Sequence, residues 1–112
     1  MRPTVPLSFA TTQAPPTLHA KEREERFRKY GALLDAPVVE AFWVDRHHVN
    51  GSEIHVVNAE AIACIYNYAT RKLITVKALR PAQLDAYYCG DTVPASLRIA
   101  SQRNVERGLN NA

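Results

Sequence analysis

At 112 residues the chain has room for one domain with a core of moderate size, and no stretch is long or apolar enough to span a membrane. A net charge of +3 permits a polyanionic partner without demanding one. The two cysteines, Cys64 and Cys89, form no CxxC pair, which argues against a structural zinc site and fits free thiols in a reducing, cytoplasmic compartment.

Residues 1–16 are rich in proline, threonine and alanine and make a poor signal peptide. They read as an extended or disordered arm on which only Val5, Leu7 and Phe9 can dock. Residues 17–112 are expected to form a single α+β domain. Thr17 can cap a helix that starts near Leu18 and carries the charged run from Lys21 to Lys29. That run reads either as a solvated face laced with i,i+4 pairs or as a basic ridge that guides a nucleic acid. Asp35-Ala36-Pro37 ends the helix, and four strands follow at about residues 38–46, 53–58, 62–68 and 73–78. Arg80-Pro81 opens a short helix that stops near Gly90, with proline in the first turn where it is tolerated. A last helix covers residues 95–107 and is stopped by Gly108. The expected fold is a four-stranded antiparallel meander sheet packed on one face by the N-terminal and C-terminal helices.

Asn50-Gly51 between two apolar-rich runs is a strong hairpin signal, because both residues tolerate the positive φ of a type I′ turn. With that dipeptide as the turn, His48 faces Glu53, Arg46 faces His55 and Val44 faces Val57. A turn from Asn58 to Ala61 then sets His55 opposite Cys64 and Glu53 opposite Tyr66. A turn from Ala69 to Lys72 sets Tyr66 opposite Thr75 and Cys64 opposite Lys77. Alternation divides such a sheet into two faces. One is apolar, with Trp43, Ile54, Val56, Ala63, Ile65, Ile74, Val76 and Ala78. The other gathers Arg46, His48, Glu53, His55, Cys64, Tyr66, Thr75 and Lys77.

Metal-independent RNA cleavage needs a base for the 2′-hydroxyl proton, an acid for the leaving oxygen, and charge or hydroxyls for the phosphorane. His48, Glu53 and His55 can move protons near neutrality. Arg46, Lys77 and Arg80 supply charge, and the Tyr66 and Thr75 hydroxyls can bind the phosphate. The bland alternative is a solvated sheet surface. A metal site would need His48, Glu53 and His55 to converge, since His47 points to the other face of a regular strand. A nucleophilic Cys64 would need His55 beside it across the strands.

From Trp43 to Tyr88 the chain carries three short motifs. They are His48-x-Asn50-Gly51-x-Glu53-Ile54-His55-Val56, then Ile65-Tyr66-Asn67-x-x-Thr70-x-Lys72-Leu73-Ile74-Thr75-Val76, then Ala78-x-Arg80-Pro81-x-Gln83-Leu84-x-x-Tyr87-Tyr88. This pattern resembles the phage-associated branch of the barnase/EndoU/colicin/RelE-like nuclease superfamily. The resemblance covers less than half the chain. It implies a small antiparallel sheet with helices on one face and metal-free RNA cleavage. Carried over by residue, it points to His48, His55, Tyr66, Thr75, Arg80 and Gln83. The charged first helix and the proline arm fall outside the pattern, and Cys64 and Lys77 stand where an apolar or variable residue is expected.

The resulting expectation is a metal-independent endoribonuclease-like domain, the toxic partner of a bacterial or phage system, acting in the cytoplasm without a cofactor. His48, His55, Tyr66, Thr75 and Arg80 would be catalytic, and Arg46, Glu53, Lys77 and Gln83 would bind RNA. A cognate antitoxin, immunity or host protein is the expected protein partner, with no membrane involved. The alternative is a non-catalytic binding module, of inhibitor or immunity type, that uses the same face or a sheet edge.

Overall fold

The computed structural model describes Thr4, residues 17–45 and residues 51–109. The elements run α1 (Leu18–Lys29), β1 (Val38–Val44), β2 (Glu53–Asn58), β3 (Ile62–Asn67), β4 (Leu73–Ala78), α2 (Pro81–Tyr88) and α3 (Ala95–Glu106). The four strands form one antiparallel sheet in the order β1-β2-β3-β4, so the expected α+β meander is present. No helix among the described residues is long and apolar enough to cross a membrane.

The registers differ from those expected. β1 pairs with Val44 opposite Glu53 and Phe42 opposite His55, so Val44 does not face Val57 and His48 does not face Glu53. Residues 45–52 lie between the two strands. Gly51 holds the positive φ its neighbourhood suggested, +68°. Arg46, His47, His48 and Asn50 lie outside the described residues, so the expected placing of Arg46 and His48 on the polar face falls there too.

The next two hairpins each slip by one residue. β2 and β3 are joined by the three residues 59–61, with Ala61 at φ +54°, instead of a two-residue loop. The Asn58 side chain organises this turn, its Oδ1 accepting from Glu60 N at 2.9 Å and Ile62 N at 3.1 Å. A three-residue loop closing through a left-handed residue is a standard hairpin form. It places His55 opposite Ile65 and Val56 opposite Cys64. The β3–β4 loop has five residues, 68–72, with Arg71 at φ +63° and an irregularity between Ile65 and Tyr66. Thr75 then faces Ile65, Val76 faces Cys64 and Lys77 faces Ala63.

Because side chains alternate, each slip moves residues to the other face. Phe42, Glu53, His55, Val57, Ala63, Ile65, Thr75 and Lys77 share one face. Ala41, Trp43, Ile54, Val56, Ile62, Cys64, Val76 and Ala78 share the other, with Tyr66. Tyr66 and Cys64 thus lie on the face opposite His55, while Ala63 and Ile65 lie on its own face, each contrary to the expected division.

The helices do not share one face. α2 and α3 bring Leu84, Tyr88, Leu97 and Ala100 against Phe42, Val57 and Ala63, on the His55 side. α1 brings Ala20 and Phe27 against Ile62, Val76 and Ala78 on the other side, closed by Leu109. With cover on both sides, every residue of β2 is buried, Glu53 and His55 included. Glu53 and His55, expected on an open polar surface, are therefore interior, while Lys77 is exposed.

Both sheet edges also meet other parts of the chain. Thr17 caps α1 by accepting from Ala20 N at 3.1 Å, and its backbone and hydroxyl donate to the carbonyls of Leu73 and Ile74 on β4. Arg23 donates to the Val76 carbonyl from Nε and Nη2. Unpaired strand carbonyls invite pairing by other chains, and α1 occupies these. On the far edge Thr4 forms an isolated antiparallel bridge with Phe42 of β1.

Candidate active site

β2 presents Glu53 and His55 two residues apart, hence on one face, beneath α2. Glu53 Oε1 lies 2.9 Å from His55 Nε2, and His55 Nδ1 meets the Tyr87 hydroxyl. His55 is 2% exposed and Glu53 7%. Where Glu53 is ionised its carboxylate can only accept, so Nε2 then carries the proton and donates to it. In a neutral imidazole Nδ1 then accepts from the Tyr87 O–H. The three side chains form a directed chain, Tyr87 to His55 to Glu53, with Tyr87 at the less buried end. The Tyr87 ring stacks on Phe42 with centroids 4.9 Å apart and an interplanar angle of 24°, which fixes the phenol over β1.

This chain borders a cavity of about 420 Å³, walled by Phe42, Trp43, Leu79 and Tyr87 and rimmed by Lys77 and Gln83. Asp45, the residue that follows β1, also lines it. A neighbouring cavity of about 370 Å³ shares Lys77 and Gln83 and adds Arg23 and Arg80. The first is walled mainly by apolar and aromatic groups, and the second carries three cationic side chains.

Of the residues selected from sequence, His55, Lys77 and Gln83 border the first cavity with Glu53 behind His55. Arg80 lines the second. Thr75 is on the His55 face, but its hydroxyl is engaged with His19 Nε2 at 3.2 Å and lines neither cavity. Tyr66 is on the opposite face, where burial, with Cys64 and Glu24, pushes its phenol up to about 12. Cys64 does not stand across from His55, and burial pushes its thiol up to about 11, which removes the thiolate a nucleophile requires. Among the described residues no three His, Cys, Asp or Glu side chains are grouped to hold a metal ion.

Tyr87, Phe42, Trp43 and Arg23 were not selected from the sequence as site residues. Tyr87 left one usable signal, since it follows Gln83 by four residues on α2 and so lies on the same helix face. No family model, curated protein or solved structure matches the chain.

Proposed function

We propose that the chain is a metal-independent endoribonuclease-like domain whose reaction centre is the cavity bordered by Tyr87, His55 and Lys77. The observation that carries this reading is the Tyr87–His55–Glu53 hydrogen-bonded chain at the wall of an aromatic cavity with a lysine on its rim. Aromatic walls suit a nucleobase and the ammonium suits its phosphate. In the proposed reaction the Tyr87 oxygen takes the 2′-hydroxyl proton while its own proton passes to His55 Nδ1. Glu53 stabilises the imidazolium so formed. The 2′-oxygen bonds to phosphorus, and the 5′-oxygen leaves and takes a proton from an acid. The products are a 2′,3′-cyclic phosphate and a 5′-hydroxyl. Lys77 stabilises the charge on the phosphorane. His48, three residues past Asp45 in the sequence, is proposed on its chemistry as the acid. RNA as substrate implies work in the cytoplasm of a bacterial or phage-infected cell, with a cognate antitoxin or immunity protein as the natural partner of a toxin. The resemblance to the barnase/EndoU/colicin/RelE-like superfamily supports this reading through the motifs around His55, Arg80 and Gln83.

The test is incubation of purified chain with total RNA in the presence of EDTA. Cleavage that persists in chelator, and is lost in His55→Ala and Tyr87→Phe, supports the proposal. Cleavage that needs zinc or manganese sinks its metal-free form.

A second reading rests on the 2% exposure of His55 with both ring nitrogens engaged. A histidine held in this way also serves to fix α2 on the sheet, and the two cavities then serve a non-catalytic binding module of inhibitor or immunity type. Absence of cleavage combined with measurable affinity for RNA or a protein favours it.

A further inference from the structure

We infer that the cavity between α1, β4 and α2 binds a second backbone phosphate of the same RNA strand, adjacent to the reacting one, and that Arg23 of the first helix is one of its ligands. The inference rests on the RNA reading above, and it adds a contact that would make a short oligonucleotide a better ligand than a single internucleotide linkage.

Four observations support it. First, the cavity is lined by Arg23, Lys77 and Arg80 together with Gln83, Ala78 and Ala82, and holds no carboxylate among the described residues. Three cations converging on one hollow repel each other unless an anion is present. Second, neither Lys77 nor Arg80 makes an ion pair among the described residues, where Arg28 and Arg98 do. Third, the Arg23 guanidinium is already placed. It donates to the Val76 carbonyl at 3.2 and 3.4 Å and lies 5.2 Å from the centroid of the Phe27 ring. A guanidinium held in this way loses less freedom when it takes a phosphate. Burial and the neighbouring Arg26 lower its pKa, so an anion beside it is further favoured. Fourth, the cavity is contiguous with the Tyr87 cavity through Lys77 and Gln83. Gln83 Oε1 accepts from Arg80 N at 2.7 Å, which leaves the amide N–H groups as donors at the boundary between the two. An aromatic hollow joined to a cationic one matches base and phosphate in alternation along a strand.

The experiment measures binding, so it does not depend on cleavage. Three probes are used: 2′-O-methylated diadenosine monophosphate, which cannot be cleaved, and the same molecule with a terminal phosphate at its 5′ or its 3′ end. Calorimetric titration of the full chain is expected to show one of the two terminal phosphates tightening binding about tenfold, the size of one charge-assisted contact. In Arg23→Gln and in Arg80→Gln the same phosphate should tighten binding threefold or less, while Arg23→Lys retains most of the gain. Arg80 is exposed, so its variant reports even if Arg23→Gln fails to fold. On a longer 2′-O-methylated oligonucleotide each variant should also lower the slope of log affinity against log salt by about 0.7. Equal affinity for all three probes overturns the inference, as does a terminal-phosphate gain that survives in both variants. If the chain cleaves no RNA yet shows the gain, the nuclease reading fails and the phosphate site stands.

Discussion

Glu53 and His55 are separated by one residue on β2, and Glu53 Oε1 accepts from His55 Nε2 at 2.9 Å inside the fold. The pair is made possible by strand geometry, which points alternate side chains the same way, and by α2, which closes over them. Removing the carboxylate leaves the imidazole N–H without its acceptor in a dry place. Glu53→Ala should therefore lower stability by about 1–3 kcal/mol in urea unfolding. A loss smaller than a few tenths would show that the pair is more solvated than its burial implies.

Tyr87→Phe separates chemistry from packing. The phenyl ring can keep its stack on Phe42, so only the hydroxyl that meets His55 is lost. Stability should fall by about 1 kcal/mol. Under the proposed mechanism, RNA cleavage should fall about a hundredfold or more, the size of a lost proton-transfer group. Unchanged cleavage would remove Tyr87 from the reaction and leave His55 to act directly.

Much of the fold was legible because strand composition and turn residues are local signals. β2 and β4 match their expected bounds, and the Thr17 cap, the Pro81 start of α2 and the meander order are all found. The registers of the last two hairpins were not legible, and the reason lies in two residues. Ala61 and Arg71 adopt the left-handed region that sequence leads one to expect of glycine or asparagine. Their cost is met by context. Asn58 Oδ1 holds the first turn, and Asn67 Oδ1 holds the second by accepting from Ala69 N and Thr70 N at 2.9 Å. The one added residue in the first of these turns was enough to carry Tyr66 and Cys64 away from His55. The candidate site was half legible for the same reason. His55, Lys77 and Gln83 follow from residue type, whereas Tyr87 enters through the docking of α2 across the sheet, a contact between distant parts of the chain.

Thr17 serves both the helix and the sheet edge. It accepts from Ala20 N and donates to Ile74 O, so Thr17→Ala should cost about 1–2 kcal/mol, more than a cap on an isolated helix. Thr17→Ser keeps both bonds and should recover most of the loss. If Thr17→Ser is as unstable as Thr17→Ala, the methyl group rather than the hydroxyl matters.

Cys64 and Tyr66 give the fold an alkaline limit. Burial is the main reason the thiol rises from about 9 to about 11, with Glu24 and Asp35 adding to it and Arg28 opposing. The Tyr66 phenol rises from about 10 to about 12 through burial, then Cys64 and Glu24. In the unfolded chain the thiol loses its proton near pH 9, while in the fold it keeps it until about 11. Between those values the unfolded state binds fewer protons, so stability must fall as pH rises. The contribution is fully present below pH 9 and is lost through about 11, at a slope of at most about 1.4 kcal/mol per pH unit for one group. Tyr66 extends the decline towards 12. Urea unfolding across this range should therefore show wild type losing more stability than Cys64→Ala between pH 9 and 11. Parallel curves for the two proteins would mean that the thiol is not desolvated by α1. The same burial makes a second readout available, since exposed Cys89 should react with iodoacetamide at pH 8 long before Cys64 does.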